Sequence, residues 1–277
     1  MKHKLIIAML AVLAVSFFAA GCDLDDTVPE DELIERQDIP LTRSQLEFVR
    51  SNNRFAIDLF KQTAALENGS SMLISPLSVT FALGMVDNGA SGETRDEINK
   101  ALGYGGSSLE DLNAFCGTML EQIAKVDPST TFQIANMAVV NKMHVPLKES
   151  FTKSVQASFD ANVCYKDFAK EDIMGFINQW CEKKTNGMIK NFLCAPPRVD
   201  EYAHFLNATY FKGIWTNKFK KGNSKNETFT TGDNRKITVN MMRQKDKFNC
   251  GFIPGGLGRG ITLPYGNQAF RMTLLLP

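Results

Sequence analysis

Apolar residues recur along the chain first with the spacing of helices and later with the spacing of strands. A helical pattern follows a capping box formed by Thr42 and Gln45 and continues to about Leu66. Ser75 and Pro76 then predict a second helix start, because serine can cap a helix and proline fits its first turn. Apolar residues occur almost all round this second helix, so we expect it to be buried.

The rest of the pattern divides into further helices and then strands. Helices are predicted over 94–102, which opens on a second capping box of Thr94 and Glu97, and over 108–125, 148–159 and 173–185. Strands are predicted over 72–74, 132–142, 163–165 and 203–211, and strand-like runs with glycine-rich turns dominate 228–277. Because helices come first and strands later without strict alternation, we expect a mixed α+β fold with large antiparallel sheets.

The first residues have the pattern of a targeting signal. A basic start precedes residues 5–20, which are apolar except for Ser16 and are short for the roughly 20 residues of a membrane span. The small residues before Cys22 resemble a bacterial lipobox, in which the cysteine is lipidated and becomes the mature N-terminus. The pattern departs from the lipobox in one respect, since Ala19 stands where leucine is usual. We therefore predict a signal peptide over 1–21 and a lipid anchor at Cys22, with conventional cleavage before Cys22 as the alternative.

An acidic segment follows the cysteine. Residues 22–40 carry eight acidic residues and a single base, a charge density that cannot pack a core and is typical of a tether. An acidic cluster directly after a lipidated cysteine resembles the surface-export signals of some Gram-negative lipoproteins, and a plain solvated spacer is the alternative. With lipidation we expect an outer-membrane or cell-surface protein, and without it a periplasmic or extracellular one. Residues 41–277 then form the folded domain.

Composition narrows the function classes. The 277 residues are 44% hydrophobic and 22% charged, which excludes a disordered chain and a multi-span membrane protein. The formal net charge of +1 argues against a dedicated nucleic-acid binder. Six cysteines are too few for a disulfide scaffold in a chain of this length, and we expect most of the five after Cys22 to be buried thiols.

No residue pattern predicts catalysis. The histidines outside the signal, His144 and His204, stand alone in strand-like contexts and are interpreted as structural. Cys181 and His204 are the residue types of a nucleophile pair, but Cys181 lies within a predicted helix. Signatures of hydrolases, zinc proteases and P-loops do not occur, and the cysteines lack the spacing of metal ligands. We therefore predict no catalytic residue, metal or cofactor, and a binding or structural protein.

Five lysines form a basic run around residues 212–225, namely Lys212, Lys218, Lys220, Lys221 and Lys225. Such a run could contact an anionic partner, although an ordinary solvated face is the favoured interpretation.

A series of short motifs runs in order through residues 45–277. They are Asn53-x-Phe55-Ala56-x-x-Leu59-Phe60, Ile74-Ser75-Pro76-Leu77-Ser78-Val79, Gly89-Ala90-x-Gly92-x-Thr94, Ala135-Asn136, Ile177-Asn178-x-Trp180, Thr185-x-Gly187-x-Ile189, Asn207-Ala208-Thr209-Tyr210-Phe211-Lys212-Gly213-x-Trp215, Val239-x-Met241-Met242 and Leu263-Pro264-Tyr265. Each motif is moderately specific, and the series resembles the serpin family of protease inhibitors.

This resemblance implies a serpin fold, three β-sheets surrounded by helices. Inhibitory serpins expose a reactive-centre loop that baits a serine or cysteine protease and, once cleaved, inserts as a new strand into sheet A. By the resemblance, Ser75, Ser78 and Asn207 belong to the polar network beneath that sheet, called the shutter. Trp215 matches the tryptophan of the breach, where the loop begins to insert. The usual histidine partner of the shutter is not matched in this sequence.

Two expectations depart from an ordinary inhibitory serpin. The reactive-centre loop and the last strands should follow Pro277, so we expect these residues to be the N-terminal two-thirds of a serpin and inactive as they stand. A non-inhibitory serpin-fold surface binding protein is the alternative function. The helix over 108–125 corresponds to a heparin site in some serpins, but Glu110, Asp111 and Glu121 face only Lys125, which argues against heparin binding there.

Overall fold

A computed structural model describes residues 35–67, 71–104, 108–144 and 146–276. The predicted signal peptide over 1–21, Cys22 and most of the acidic tether lie outside these residues. The described end of the tether, residues 35–40, contains neither helix nor strand and is almost wholly exposed, with Arg36 paired to Asp38 at 2.6 Å. Within the described ranges, no helix combines the length and hydropathy that crossing a bilayer requires.

Six α-helices form in the described residues, close to where the sequence predicts them. They are α1 (Arg43–Leu66), α2 (Pro76–Asp87), α3 (Glu93–Leu102), α4 (Leu109–Gln122), α5 (Glu149–Phe159) and α6 (Ile173–Lys184). The capping box before α1 is confirmed. The main-chain N–H of Gln45 donates to Thr42 Oγ1, and the main-chain N–H of Thr42 donates to Gln45 Oε1. Ser75 caps α2 by accepting from the Ser78 N–H at 3.3 Å, as predicted.

Two local predictions are wrong. The second capping box is absent because α3 begins one residue earlier, at Glu93, with Gly92 as an N-cap that has a φ of 57° and no side chain to accept a hydrogen bond. Thr94 is therefore already inside the helix. Residues 72–74 form no strand, since no neighbouring strand among the described residues pairs with them, and the Leu73 side chain is 99% exposed.

The strands make three small sheets. They are β1 (Thr131–Asn141), β2 (Ala161–Lys166), β3 (Ala203–Lys212), β4 (Lys225–Thr230), β5 (Lys236–Met241), β6 (Asn249–Ile253), β7 (Gly258–Tyr265) and β8 (Phe270–Leu276). The first sheet has the order β2-β1-β3, the second is the hairpin β4-β5, and the third is the antiparallel meander β6-β7-β8. The α+β class is confirmed. The predicted large sheets do not occur in the described residues, where no sheet exceeds three strands and β1 pairs with β2 in parallel.

Helices cover both faces of the β2-β1-β3 sheet. On one face, α1 to α5 bury a core that includes Phe48, Phe81, Met85, Leu112 and Phe159. On the other face, α6 packs on the alternate residues of β1 and β3 in a second core that includes Met137, Val139, Ile173, Ile177 and Leu206. No residue of α2 is exposed, which confirms the prediction that this helix is buried.

The cysteines are distributed differently from the prediction. All five described cysteines are free, but only Cys116 and Cys181 are buried. Burial raises the pKa of both thiols, and it raises the pKa of Cys116 well above the ordinary value of a cysteine. Cys164 is half-buried, and Cys194 and Cys250 are exposed. Cys194 lies in the loop after α6, and Cys250 lies in β6, whose residues are mostly exposed, so neither position provides a core to bury a thiol.

Candidate functional site

The N-terminus of α2 meets the sheet through hydroxyl groups. Ser75 is the N-cap and Ser78 lies one turn into the helix, so both hydroxyls lie at the same end of α2. The Ser78 hydroxyl lies 2.8 Å from Ser75 Oγ and 2.8 Å from Thr209 Oγ1, on strand β3. This contact links helix and sheet directly, across 131 residues of sequence.

Beyond Thr209 the hydrogen bonds continue through the sheet. The Thr209 hydroxyl donates to Asn207 Oδ1 at 3.2 Å, and Asn207 Nδ2 donates to Asn136 Oδ1 on β1 at 2.8 Å. Asn136, which is only 3% exposed, then donates from Nδ2 to the carbonyl oxygen of Phe159 at 2.6 Å. An unbroken series of side-chain hydrogen bonds therefore runs from α2 through β3 and β1 to the end of α5. We call these five side chains the sheet network: Ser75, Ser78, Thr209, Asn207 and Asn136.

Strand geometry explains why these residues meet. Asn207 and Thr209 are two residues apart on β3 and so project from the same face, the one that α2 covers. The antiparallel register sets Asn136 directly opposite Asn207. Ser75, Ser78 and Asn207, which the sequence singled out, belong to one cluster, but Ser78 reaches Asn207 only through Thr209. Sequence reasoning missed the linking role of Thr209, although its two-residue spacing from Asn207 was a signal that could have found it.

The hydrogen bonds of the sheet network oppose separation of α2, β3 and β1. A hydrogen bond contributes about 0.5–1.5 kcal/mol to stability, but leaving a buried donor or acceptor unpaired costs about 1–3 kcal/mol. Separating α2 from β3 would break the Ser78–Thr209 contact, and displacing β3 from β1 would leave the buried Asn136 amide without the hydrogen bond from Asn207. The network therefore resists relative movement of the helix and the two strands.

Trp215 lies just beyond the end of β3, where the first and third sheets meet. Its ring stacks on Tyr265 with centroids 4.3 Å apart and planes 14° apart. Main-chain hydrogen bonds reinforce the stack, since the Thr216 N–H donates to the Pro264 carbonyl at 3.0 Å. Gly213 allows the close approach, because a Cβ atom there would lie 2.6 Å from Tyr265 Cδ1.

An aromatic cluster extends this junction between the two sheets. Phe211 on β3 makes edge contacts with Phe132 on β1, with Phe270 on β8 and with Tyr265 on β7. Phe132 and Phe270 stack with centroids 5.6 Å apart. Trp215 therefore lies beside an aromatic contact between two sheets at one end of β3.

Strand β3 is the last strand of its sheet. Its inner edge pairs with β1 over ten register positions, and none of the described strands pairs with its outer edge. The backbone groups along that outer edge have the geometry to accept a further strand. The sheet network thus includes two side chains of a strand that, among the described strands, is paired on one side only.

The two described histidines, His144 and His204, show no arrangement for nucleophilic catalysis. His204 Nε2 lies 2.8 Å from Glu201 Oε2, and its ring stacks on Phe168. The His144 ring stacks on Tyr202. Among the described residues, Cys181 makes no hydrogen bond to His204, and no group of three potential ligands could hold a metal ion.

Comparison with known proteins gives a consistent family. The model of the family "Serpin (serine protease inhibitor)" matches residues 50–277. Leukocyte elastase inhibitor of Bos taurus is 35% identical over 235 residues, which cover 82% of this chain and 60% of that protein. Neuroserpin of Homo sapiens is 29% identical over 231 residues, which cover 80% of this chain and 56% of that protein. The chain thus spans about 60% of the length of the curated relatives that it matches.

Solved structures agree in fold. Emu (Dromaius novaehollandiae) ovalbumin superposes with a TM-score of 0.77 at 24% identity, covering 83% of this chain and 63% of ovalbumin. Native protease nexin-1 with heparin superposes with a TM-score of 0.76 at 26% identity, covering 84% of this chain and 64% of the other. The three-sheet arrangement with surrounding helices is the fold that these structures share with the chain.

Proposed function

Because the chain belongs to the serpin family, we propose that it forms the scaffold of a serpin-type inhibitor of serine or cysteine proteases. The names of the relatives support this proposal, since one is an elastase inhibitor and the family is described as one of serine protease inhibitors. Serpins are inhibitors and not catalysts, and the proposal accordingly assigns the chain no catalytic residue, cofactor or metal.

The proposed mechanism is the insertion of a cleaved reactive-centre loop beside β3. The observation that carries it is the sheet network, which links β3 to α2 by hydrogen bonds. The outer edge of β3 is unpaired among the described strands and is therefore the edge beside which the loop would insert. In this proposal Ser75, Ser78 and Asn207 act as the shutter together with Thr209, and Trp215 marks the breach where insertion begins. The roles are conformational, since these side chains hold or release a strand and never touch a reacting atom.

Such a mechanism requires a protein held away from its most stable state. Insertion adds a strand to a sheet, and main-chain pairing along the new strand releases free energy. The uncleaved protein then persists because a barrier separates it from the inserted form. Hydrogen bonds that must break before β3 moves, such as the Ser78–Thr209 contact, would contribute to that barrier.

The proposal is tested by gel shift against trypsin-, elastase- and papain-like proteases. A complete gene product that carries these residues with a reactive-centre loop is expected to form an SDS-stable adduct with at least one protease. In this proposal the reactive-centre loop lies outside residues 1–277, so these residues by themselves are expected to form none. The control is the same protease with its nucleophile blocked, which should give no adduct.

The two forms of the chain give separable outcomes. An adduct formed by residues 1–277 alone would overturn the proposed dependence on the loop. A folded complete product that forms no adduct with any of the three protease classes would overturn inhibition and favour a non-inhibitory surface binding protein.

We also propose that the inhibitor is exported and anchored. In this proposal residues 1–21 are removed as a signal peptide, the lipidated Cys22 holds the protein at the bacterial outer membrane or cell surface, and residues 22–40 separate the domain from the lipid. Support comes from the sequence pattern, namely the small residues before Cys22 and the acidic segment after it.

We propose no heparin site on α4. Protease nexin-1 is described with heparin, but α4 of this chain has an acidic first turn formed by Glu110 and Asp111. The nearby Lys125 pairs with Glu121 at 3.3 Å, so its charge is already compensated. Hydrogen bonds from Ser108 lower the pKa of Asp111, which keeps that carboxylate ionised.

A further inference from the structure

A cleft of about 800 Å³ opens between the segment after β3 and the third sheet. Residues 216–223 form one wall, and residues 243–248, which lie between β5 and β6, form another. Thr262 on β7 and Arg271 on β8 close the cleft on the side of the third sheet. We call this feature the basic cleft.

Positive charge without a partner dominates the lining of the basic cleft. Lys245, Lys247 and Arg271 line it, are exposed, and join no ion pair among the described residues. Asp246 is the single acidic residue of the lining. Like charges that converge on one concave surface raise its potential, so the cleft favours an anionic occupant.

The chain itself carries an anionic segment that complements this charge. Residues 23–35, which we call the distal tether, contain seven acidic residues and no basic one. Of these residues the structure describes Glu35, whose side chain is exposed. Both cleavage alternatives cut before Cys22, so the distal tether stays on the exported protein whether or not the cysteine is lipidated.

Two contacts connect the start of α1 to the basic cleft. Gln45, in the first turn of α1, donates from Nε2 to Thr118 Oγ1 on α4 at 2.9 Å. Eight residues after Thr118, the carbonyl oxygen of Val126 accepts from Asn267 Nδ2 at 2.8 Å. Asn267 lies four residues before Arg271, in the turn that leads to β8.

These contacts show that the distal tether is long enough to reach the cleft. With the rise of a helix and of extended chain, the steps separate Thr42 from Arg271 by at most about 50 Å. The chain from Thr42 back to Asp23 spans about 60 Å when it is extended. The acidic residues of the distal tether can therefore meet the basic side chains of the same molecule.

We propose that the distal tether docks in the basic cleft of its own chain, where its carboxylates contact Lys245, Lys247 and Arg271. Each exposed charge pair contributes only about 0.2–1 kcal/mol, but an attached segment has an effective concentration on the order of mM, so several weak pairs suffice. Because Cys22 directly precedes the distal tether, docking brings it to the cleft. Resting on the proposed lipid anchor, this end of the domain then faces the lipid.

Carbodiimide crosslinking tests the contact, because it joins a carboxylate to a lysine amine that forms a direct ion pair with it. In the full chain at low salt, the distal tether should be joined to Lys245 or Lys247 within one molecule. The yield should fall at least about fivefold in about 0.5 M salt, and about threefold in Arg271→Gln, which leaves both lysines in place.

Lys100 on α3 is the matched control, since it is also exposed and lies on the same side of the molecule as the start of α1. A Cβ atom at Gly103, directly after α3, would lie 3.3 Å from Ser51 Cβ, and Ser51 is only about 14 Å along α1 from Thr42. A tether that moved freely would therefore meet Lys100 at least as often as the cleft. With docking, Lys100 should give at least about fivefold less product.

A second measurement follows the lysines without crosslinking. Neutralising the tether with Glu30→Gln/Asp31→Asn/Glu32→Gln should raise the acetylation rate of Lys245 and Lys247 by about threefold and leave Lys100 unchanged, because a paired amine holds its proton more tightly. The control variant removes the same net charge from exposed positions on α1, α4 and α6 and should change these rates less than about 1.5-fold; it is Asp58→Asn/Glu110→Gln/Glu182→Gln. Circular dichroism of each variant shows that folding is retained.

The outcomes separate docking from its alternatives. Equal crosslinking of Lys100 and the cleft lysines, or equal acetylation rates in the two triple variants, would overturn the docking. Crosslinks found only between two molecules would assign the contact to a second copy and overturn docking within one chain. These measurements need neither a lipid nor a protease, so a failure here is distinct from a failure of the proposed inhibition or of the proposed anchor.

Discussion

Asp87 at the end of α2 is a buried carboxylate whose charge the fold does not satisfy. Its side chain is 0% exposed, and neither carboxylate oxygen accepts a hydrogen bond from the described residues. Arg95 Nε lies 3.7 Å from Asp87 Oδ1, too far for a hydrogen bond, while its guanidinium donates to the Asp87 carbonyl instead. Burial raises the pKa of Asp87, and the nearby Arg95 offsets only part of that rise. Burial also raises the pKa of Tyr104, and the negative charge of Asp87 contributes to that rise.

The geometry sets the size of the expected effect. At 3.7 Å the attraction to Arg95 is worth roughly 4 kcal/mol at an effective dielectric constant of about 20. Removing a carboxylate from water costs several kcal/mol, and the raised pKa shows that this cost exceeds the attraction. We therefore expect Asp87→Asn, which keeps the shape and removes the charge, to stabilise the protein at pH 7 by about 1–3 kcal/mol. For a domain of this size the melting temperature should rise by about 2–4 °C per kcal/mol.

The dependence on pH gives this prediction its test. The folded-state pKa of Asp87 lies above the ordinary value of 3.8, so the native protein loses stability as the pH rises from that value through the folded-state pKa. The advantage of Asp87→Asn should therefore vanish near pH 3.8 and reach its full size above the folded-state pKa. Urea unfolding at about pH 4, 5.5 and 7 measures it, with Asp58→Asn, at a position whose side chain is 73% exposed, as the control of equal charge. A variant that is less stable at pH 7, or equally changed at every pH, would refute the reasoning.

Three further outcomes are expected. Ser78→Ala and Thr209→Val should each lower the free energy of unfolding by about 1 kcal/mol. Because the two hydroxyls bond each other, a double-mutant cycle in urea should give a coupling of at least about 0.5 kcal/mol, and additive losses would contradict the contact. Gly213→Ala should cost about 1–3 kcal/mol and shift the tryptophan emission, because its Cβ displaces Tyr265 from the stack; unchanged emission would argue against this packing. Cys22→Ser should move the protein expressed in a Gram-negative host from the detergent phase to the aqueous phase in Triton X-114 partitioning, whereas unaltered partitioning would exclude the lipid anchor.

The sequence predicted the fold best where a local rule acts alone. Thr42 with Gln45 and Ser75 with Pro76 mark helix starts through contacts within four residues, and both predictions are confirmed. The prediction at Thr94 was wrong because Gly92 adopts a positive φ and starts α3 earlier, a backbone choice that the pattern of side chains does not encode. The strand predicted over 72–74 fails for another reason, since an apolar run becomes a strand only beside a partner.

The site was predictable as a set of residue types and not as a set of contacts. Ser75, Ser78 and Asn207 were identified by resemblance, yet their connection depends on Thr209 and Asn136, which the register of β3 on β1 brings into line. This register depends on residues that lie 71 positions apart in sequence, so no local pattern of residues shows it. The unsatisfied charge of Asp87 is likewise invisible in the sequence, because only tertiary packing shows that both of its oxygens lack a donor among the described residues.

The turn between β7 and β8 is held by a residue from much earlier in the chain, and this has a consequence for the order of synthesis. Asn267 Nδ2 donates to the carbonyl oxygen of Val126 at 2.8 Å, across 141 residues. A ribosome adding about 5–20 residues per second needs about 7–28 s to make that intervening chain. During this time the helical half can pack around Phe81 and Phe159, whereas the loop after α4 waits for the hairpin that will cover it. A nascent chain paused between residues 161 and 267 should therefore protect the helical core from protease before it protects residues 126–130.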